Sequence, residues 1–170
     1  VLLNRTTALD ADRKSVLNAS RSQQHRGPDW SGIREFPAAI VSHERLAIVD
    51  VLSGAQPLVD PDSGTVLAVN GEIYNHLDLK SSGACGDYPF QSGSDCEVIR
   101  ALYRKHGRDR VQHLSGMYAF VLFDPTSDTW IIARDPIGII PLYYGTDDAG
   151  RLWVASEMKA LMDTCDDVRL

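Results

Sequence analysis

Several common residue patterns are scarce or absent in this 170-residue chain, and each absence excludes a class of function. Its cysteines, Cys85, Cys96 and Cys165, are odd in number and show no C-x-x-C spacing, which argues against a disulfide framework or a zinc site. Basic residues form no run longer than a pair and the net charge is −6, which disfavours nucleic-acid binding. No stretch approaches the roughly 20 apolar residues of a membrane span.

Familiar catalytic motifs are missing as well. The chain has no G-x-S-x-G elbow, no phosphate-binding G-x-x-x-x-G-K-[ST] loop and no H-E-x-x-H zinc helix. Its five histidines show no metal-ligand spacing. No signal or transit peptide is visible, and we expect reduced thiols in the cytoplasm.

What is present fits an ordinary globular domain, with 44% hydrophobic and 24% charged residues. A helix is predicted over residues 10–24. A second is predicted in "SGSDCEVIRALYRKHG", where Ser94 to Glu97 fits an S-x-x-E capping box and Gly107 suits the C-terminal cap. Closely spaced strands then follow at residues 118–123, 130–134, 142–144 and 152–155. Short turns between strands indicate antiparallel pairing, so the pattern predicts an α+β fold.

The stretch "LAVNGEIYNH" interrupts a buried strand with Asn70, Gly71 and Glu72. An Asn-Gly pair is typical of a tight hairpin turn, which is one interpretation. In the other, the strand presents a side-chain amide and an unobstructed backbone N–H as an oxyanion hole. Glu72 beside them could then hold an ammonium or amide group of a substrate.

Three other residues allow both a structural and a functional interpretation. Arg45, between two apolar segments predicted to be strands joined by a bend, is either a surface ion-pair residue or a two-point ligand for a carboxylate. Asp95 either stabilises the helix start or binds a cationic group. Cys96 is better explained as a small buried residue than as a nucleophile.

The chain resembles the N-terminal glutaminase domain of glutamine-hydrolysing asparagine synthetases, which are class II glutamine amidotransferases and N-terminal-nucleophile hydrolases. The resemblance covers most of the chain, in family order. The matching stretches are "HRGPDWSG" (25–32), "SHERLAIVD" (42–50), "GAQPL" (54–58), "AVNGEIYNH" (68–76), "SGSDCEVI" (92–99), "GMYAFVLFD" (116–124), "ARDPIGIIPLYYG" (133–145) and "ASEMKAL" (155–161).

The resemblance implies a four-layer αββα sandwich of two antiparallel sheets and a site for L-glutamine. Arg45, with the backbone of Val49, would bind the α-carboxylate of glutamine. The side chain of Asn70 and the N–H of Gly71 would form the oxyanion hole. Glu72 and Asp95 would hold the amide or α-amino end. The nucleophile would be an N-terminal cysteine whose own α-amino group acts as base.

Two departures from the family pattern are expected. Val1-Leu2-Leu3 reads as the middle of a strand, so we expect the nucleophilic cysteine about four or five residues upstream of Val1, and the isolated chain to be inactive. We also expect the amidotransferase domain to span residues 1–163 and a linker to an absent synthetase domain to start at residues 164–170.

The resemblance implies no cofactor for this domain, and ATP and Mg²⁺ for the synthetase domain, which would use the ammonia to amidate aspartate. The synthetase domain and glutamine are the expected partners, and a homodimer is left open. Two alternatives remain at this point: a non-catalytic glutamine-binding remnant, and the glutaminase domain of another class II amidotransferase.

Overall fold

The computed structural model describes residues 1–3, 10–47 and 56–170, apart from the side chains of residues 110 and 111. Ten strands lie within these described residues and are, in chain order, β1 (Leu2–Leu3), β2 (Trp30–Phe36), β3 (Ala39–Arg45), β4 (Leu58–Val59), β5 (Val66–Ile73), β6 (Gly116–Asp124), β7 (Thr129–Arg134), β8 (Tyr143–Thr146), β9 (Leu152–Ala155) and β10 (Asp167–Arg169). The α-helices are α1 (Asp10–Arg21), α2 (His76–Ser81) and α3 (Glu97–His106). Short 3₁₀ helices cover Gln24–Arg26, Gly107–His113 and Met158–Ala160.

The chain divides into two compact units. The first comprises Val1–Leu46 with Pro141–Leu170, and the second comprises Ala47–Ile140. Each unit is built on one antiparallel sheet with helices, as the α+β prediction requires.

The first unit has a six-stranded sheet in the order β10-β8-β9-β1-β3-β2. The two residues of β1 lie in its middle, paired with β3 on one side and β9 on the other. Side chains from α1, the sheet and the segment between β9 and β10 form its core, which comprises Leu2, Val16, Ile40, Trp153, Leu161 and Cys165. Residues 164–170, predicted to start a linker, thus contribute buried Cys165 to this core and β10 to the sheet edge.

The second unit has a four-stranded sheet in the order β4-β5-β6-β7. Helix α3 packs on this sheet because alternate residues of β5 and β6 supply an apolar face, including Leu67, Val69, Phe120 and Leu122. Val98 and Ala101 of α3 are completely buried against that face. The strand that carries the Asn-Gly-Glu sequence is therefore held between a neighbouring strand and a helix.

The structure confirms α3 but not its predicted capping box. The first residue before the helix is Cys96, and no side chain caps it. Ser94 Oγ accepts the N–H of Cys96 at 3.3 Å, while the carboxylate of Glu97 accepts the N–H groups of Gln91 and Ser92 in the preceding loop. Gly107 ends the helix with φ of +68°, as predicted.

Other elements differ from prediction for identifiable reasons. The first helix ends at Arg21, and β3 runs without a bend through the polar residues to Arg45. The second strand segment predicted after Arg45 lies mostly outside the described residues. Strand β2 was not predicted, because it lies at the sheet edge and none of its side chains is fully buried. Helix α2 was missed as well, because its six residues bury only Leu79.

Candidate functional site

The Asn-Gly-Glu sequence lies in the last half of β5, in continuous register with β6. Asn70 is opposite Ala119, Gly71 opposite Tyr118 and Glu72 opposite Met117. The strand runs unbroken to Ile73, so the hairpin interpretation of Asn70-Gly71 is wrong. Because side chains alternate along a strand, Asn70 and Glu72 share the face opposite to the one on which Ile73 packs into the core.

Gly71 occupies a backbone position that only glycine fits. Its φ is +134°, and a Cβ atom there would lie 2.0 Å from the carbonyl oxygen of Met117. Glycine is thus required for β5 to approach β6 this closely at the point where the strand carries its polar residues.

Asp95 and Cys96, just before α3, attach to this segment of β5. Asp95 Oδ2 accepts the N–H of Ile73 at 2.6 Å. The thiol of Cys96 lies 3.6 Å from the carbonyl oxygen of Gly71 and 3.6 Å from Asp95 Oδ2. Four of the predicted site residues, Asn70, Gly71, Glu72 and Asp95, are therefore brought together in the second unit.

Burial and the charges of two carboxylates act on the thiol of Cys96. Burial raises the pKa of the Cys96 thiol well above its usual value, and the negative charges of Asp95 and Glu72 raise it further. The thiol is therefore neutral at pH 7, which fits the prediction of a buried, non-nucleophilic cysteine. Burial also raises the pKa of Cys85 and Cys165.

Arg45 belongs to the first unit, where it is the last residue of β3 and is 8% exposed. It pairs with Trp30 of β2, and its carbonyl oxygen accepts the N–H of Asp29 at 3.0 Å. Burial lowers the pKa of His43 to about 4, and the positive charge of Arg45 adds to this effect. Val49, the predicted partner of Arg45, lies outside the described residues.

Side-chain hydrogen bonds of Glu44 hold the end of β3 that carries Arg45. Its carboxylate accepts the hydroxyl of Ser20 at 2.6 Å and also that of Ser31. The chain passes so close to Glu44 at Gly27 that a Cβ on this glycine would lie 2.1 Å from the Glu44 carbonyl oxygen. The "HRGPDWSG" motif thus supports the strand end that presents Arg45.

Asp135 is a supporting residue that the sequence analysis did not single out. Its carboxylate is 3% exposed and accepts the N–H groups of Ile139 at 2.9 Å and Ile140 at 3.1 Å. Burial raises its pKa, but these backbone donors outweigh that effect and the net pKa is lowered. Its own N–H donates to the carbonyl oxygen of Tyr118, directly across from Gly71. The D-P-x-G turn signal could have identified it.

Two negative findings concern the described residues only. Within them, no group of three or more His, Cys, Asp or Glu side chains is arranged to hold a metal ion. None of the helices found there is long and apolar enough to cross a bilayer.

Comparisons with known proteins identify the family of this chain. A family profile described as a glutamine amidotransferase domain matches residues 4–169. Asparagine synthetase B (glutamine-hydrolysing) of Escherichia coli K12 is 55% identical over 158 residues, which are 92% of this chain and 28% of that protein. The glutamine-hydrolysing asparagine synthetase of Asparagus officinalis is 49% identical over 156 residues, 92% of this chain and 26% of that protein. This chain thus spans just over a quarter of the length of these relatives.

Solved structures share the fold at lower identity. The allosteric regulatory enzyme of purine biosynthesis matches with a TM-score of 0.77 at 24% identity, over 95% of this chain and 42% of that one. Glutamine phosphoribosylpyrophosphate amidotransferase from B. subtilis matches with a TM-score of 0.72 at 22% identity, over the same 95% and 42%. These likenesses confirm the predicted α+β fold class with two antiparallel sheets.

Proposed function

Because this chain belongs to the glutamine amidotransferase domain family, we propose that it is the glutaminase domain of a glutamine-hydrolysing asparagine synthetase. In this proposal it converts L-glutamine to glutamate and ammonia. The supporting observation is the assembly at the end of β5, where an amide side chain, a glycine and two carboxylates lie together. An acyl-transfer site needs such donors for an oxyanion and acceptors for a cationic group.

Each site residue has a role in this proposal. Arg45, assisted by the backbone of Val49, binds the α-carboxylate of glutamine through its planar guanidinium. The side-chain amide of Asn70 and the N–H of Gly71 stabilise the oxyanion that forms on the substrate's side-chain carbonyl. Glu72 and Asp95 hold the amide or α-amino end of the substrate.

The nucleophile in this proposal is the thiolate of an N-terminal cysteine encoded before Val1. It attacks the side-chain carbonyl carbon of glutamine, and the α-amino group of the same cysteine acts as the general base that accepts the thiol proton. Ammonia leaves and a thioester forms, which water then hydrolyses to release glutamate and the thiol. The raised pKa of Cys85, Cys96 and Cys165 supports this assignment, because none of these thiols readily gives a thiolate.

The full-length protein would use the ammonia for synthesis. We propose that a C-terminal synthetase domain activates aspartate with ATP and Mg²⁺ and amidates it to asparagine. No cofactor is assigned to the glutaminase domain itself. We place the protein in the cytoplasm, which the three unpaired, buried cysteines support, and leave a homodimer as the open oligomeric state.

The test uses an extended chain, in which Met-Cys-Gly and the intervening residues of the E. coli relative precede Val1. We expect this extended chain to release glutamate from glutamine, and the same chain with serine in place of the new cysteine to be slower by on the order of 10⁶. Residues 1–170 alone should release none. Glutamate release by the 170-residue chain would contradict the placement of the nucleophile.

Two outcomes would favour the alternatives. An extended chain that binds glutamine without hydrolysing it would be the non-catalytic remnant. A full-length gene product that hydrolyses glutamine but forms no asparagine from aspartate and ATP would be a different class II amidotransferase.

A further inference from the structure

The carboxylate of Glu97 is completely buried and serves the loop before α3. Its Oε1 atom accepts the N–H of Gln91 at 2.9 Å, and its Oε2 atom accepts the N–H of Ser92 at 2.8 Å and the Ser92 hydroxyl at 2.6 Å. Arg100 Nη2 donates to Oε1 at 2.9 Å. Among the described residues, three of the four hydrogen bonds to this carboxylate therefore come from the loop.

A short relay of hydrogen bonds leads from Glu97 to Asp95. Ser92 Oγ, held by Glu97, accepts the N–H of Ser94 at 3.3 Å. Ser94 Oγ in turn accepts the N–H of Cys96 at 3.3 Å. Ser94 is thus linked to the Glu97 carboxylate through Ser92, and Cys96 is linked to Ser94, so both neighbours of Asp95 are tied to the loop that Glu97 holds.

Asp95 uses only one of its carboxylate oxygens for the fold. Oδ2 accepts the N–H of Ile73, whereas Oδ1 makes no hydrogen bond with the described residues. Asp95 is 7% exposed, so the direction of Oδ1 depends on how rigidly the backbone on either side is held.

An ion-pair role for Glu97 explains these bonds less well. Arg100 Nε and Nη1 are buried without a hydrogen-bond partner among the described residues, so the guanidinium meets the carboxylate at one nitrogen only. A pair built for charge neutralisation would use the two-point geometry of arginine. The loop "QSGS" also contains glycine and serines, which do not fix a conformation by themselves.

We propose that Glu97 is a positioning residue for glutamine binding: its buried carboxylate fixes the 91–95 loop and thereby directs Asp95 Oδ1 at the substrate. This inference rests on the proposed glutaminase function, in which Asp95 contacts glutamine. Glu97 itself contacts no substrate and acts through Asp95.

The test measures L-glutamine binding by NMR titration. The parent is the extended chain with serine in place of the N-terminal cysteine, which can bind glutamine without appreciable hydrolysis. We expect Glu97→Gln to raise the Kd about tenfold, because an amide places a donor against one of the loop donors. Asp95→Asn should raise it at least as much. The double variant should match Asp95→Asn alone, since a residue acting only through Asp95 adds nothing once Asp95 is changed.

Asp124→Asn is the matched control. Asp124 also accepts a backbone N–H and hydroxyl groups, from Thr126 and Ser127, but it lies at the far end of β6 from Tyr118. The Kd of the Asp124→Asn variant for glutamine should stay within about twofold of the parent value, even if the variant is less stable.

The outcomes separate this inference from the proposed function. A parent chain that does not bind glutamine refutes both. If the parent binds glutamine and Glu97→Gln leaves the Kd unchanged, only the positioning role is refuted. The same holds if the rise in Kd in the double variant is the product of the rises in the two single variants. If Glu97→Gln does not fold, Ser92→Ala breaks the same relay, and we expect a severalfold rise in Kd that also disappears in the Asp95→Asn background. An additive Ser92→Ala effect would overturn the proposal as well.

Discussion

Replacing Gly71 with alanine should destabilise the second unit far more than a typical glycine substitution. The new Cβ would lie 2.0 Å from the Met117 carbonyl oxygen and 2.7 Å from the Tyr118 Cα, so β6 must move by about 1 Å or the pairing must open. A side chain at φ of +134° adds backbone strain. The backbone strain should cost about 1–3 kcal/mol. Displacing the pairing between β5 and β6 should cost about another 1–3 kcal/mol, so the free energy of unfolding should fall by about 4 kcal/mol.

Gly83→Ala separates the clash from the backbone strain. Gly83 has φ of +73°, but a Cβ there would meet nothing within 4 Å, so its loss should be only about 1 kcal/mol. Urea unfolding of both variants gives the comparison, followed by fluorescence in a Trp30→Phe, Trp153→Phe background that leaves Trp130, stacked on Phe123 in the same unit. Equal losses for the two variants would refute the argument that β5 and β6 approach too closely for any side chain at position 71.

Three further predictions concern the site and its surroundings. In the extended chain, Asn70→Ala should lower kcat by about 10²–10³ with little change in KM, measured by glutamate release, whereas a raised KM alone would make Asn70 a binding residue. Arg45→Ala should chiefly raise the KM for glutamine, and an unchanged KM would contradict its carboxylate role. Burial raises the pKa of Asp124, but bonds from Thr126, Tyr103 and Ser127 outweigh this and lower it to about 2. Because the folded pKa is below the ordinary one, these bonds should stabilise the fold by about 1–2 kcal/mol above pH 4. That contribution should vanish as pH falls through about 2, and urea curves of the parent and Asp124→Asn should converge there.

The sequence predicted best where a local pattern and burial agree. Helix α3 was predicted because its apolar residues follow the helical period and Gly107 ends it, and the structure buries that face against β5 and β6. Strands β6 and β9 were predicted to within two residues for the same reason. Strand β7 was predicted from its apolar residues, although it lies at a sheet edge and none of them is fully buried. Edge elements such as β2 and β10 escaped prediction, because a strand exposed on its faces carries little apolar alternation.

The site shows a similar division. The polar interruption of β5 pointed to Asn70, Gly71 and Glu72 because such residues are poor strand formers. Spacing alone left Asp95 undecided between a helix-start residue and a ligand, because its bond to Ile73 joins residues far apart in the chain. The Glu97 carboxylate was misassigned to a capping box, since the competing donors of Gln91 and Ser92 lie in a loop whose path the sequence does not specify.

The covering of β5 also bears on self-association. Among the described residues, β4 pairs only with Val66 and Leu67, so the rest of β5 has no strand on that side. Side chains occupy this edge instead, with Gln56 on the N–H of Val69 and Asp95 on the N–H of Ile73. An uncovered strand edge is a template for pairing with another chain. The carboxylate that is proposed to bind glutamine therefore also occupies an edge position at which another chain could otherwise pair.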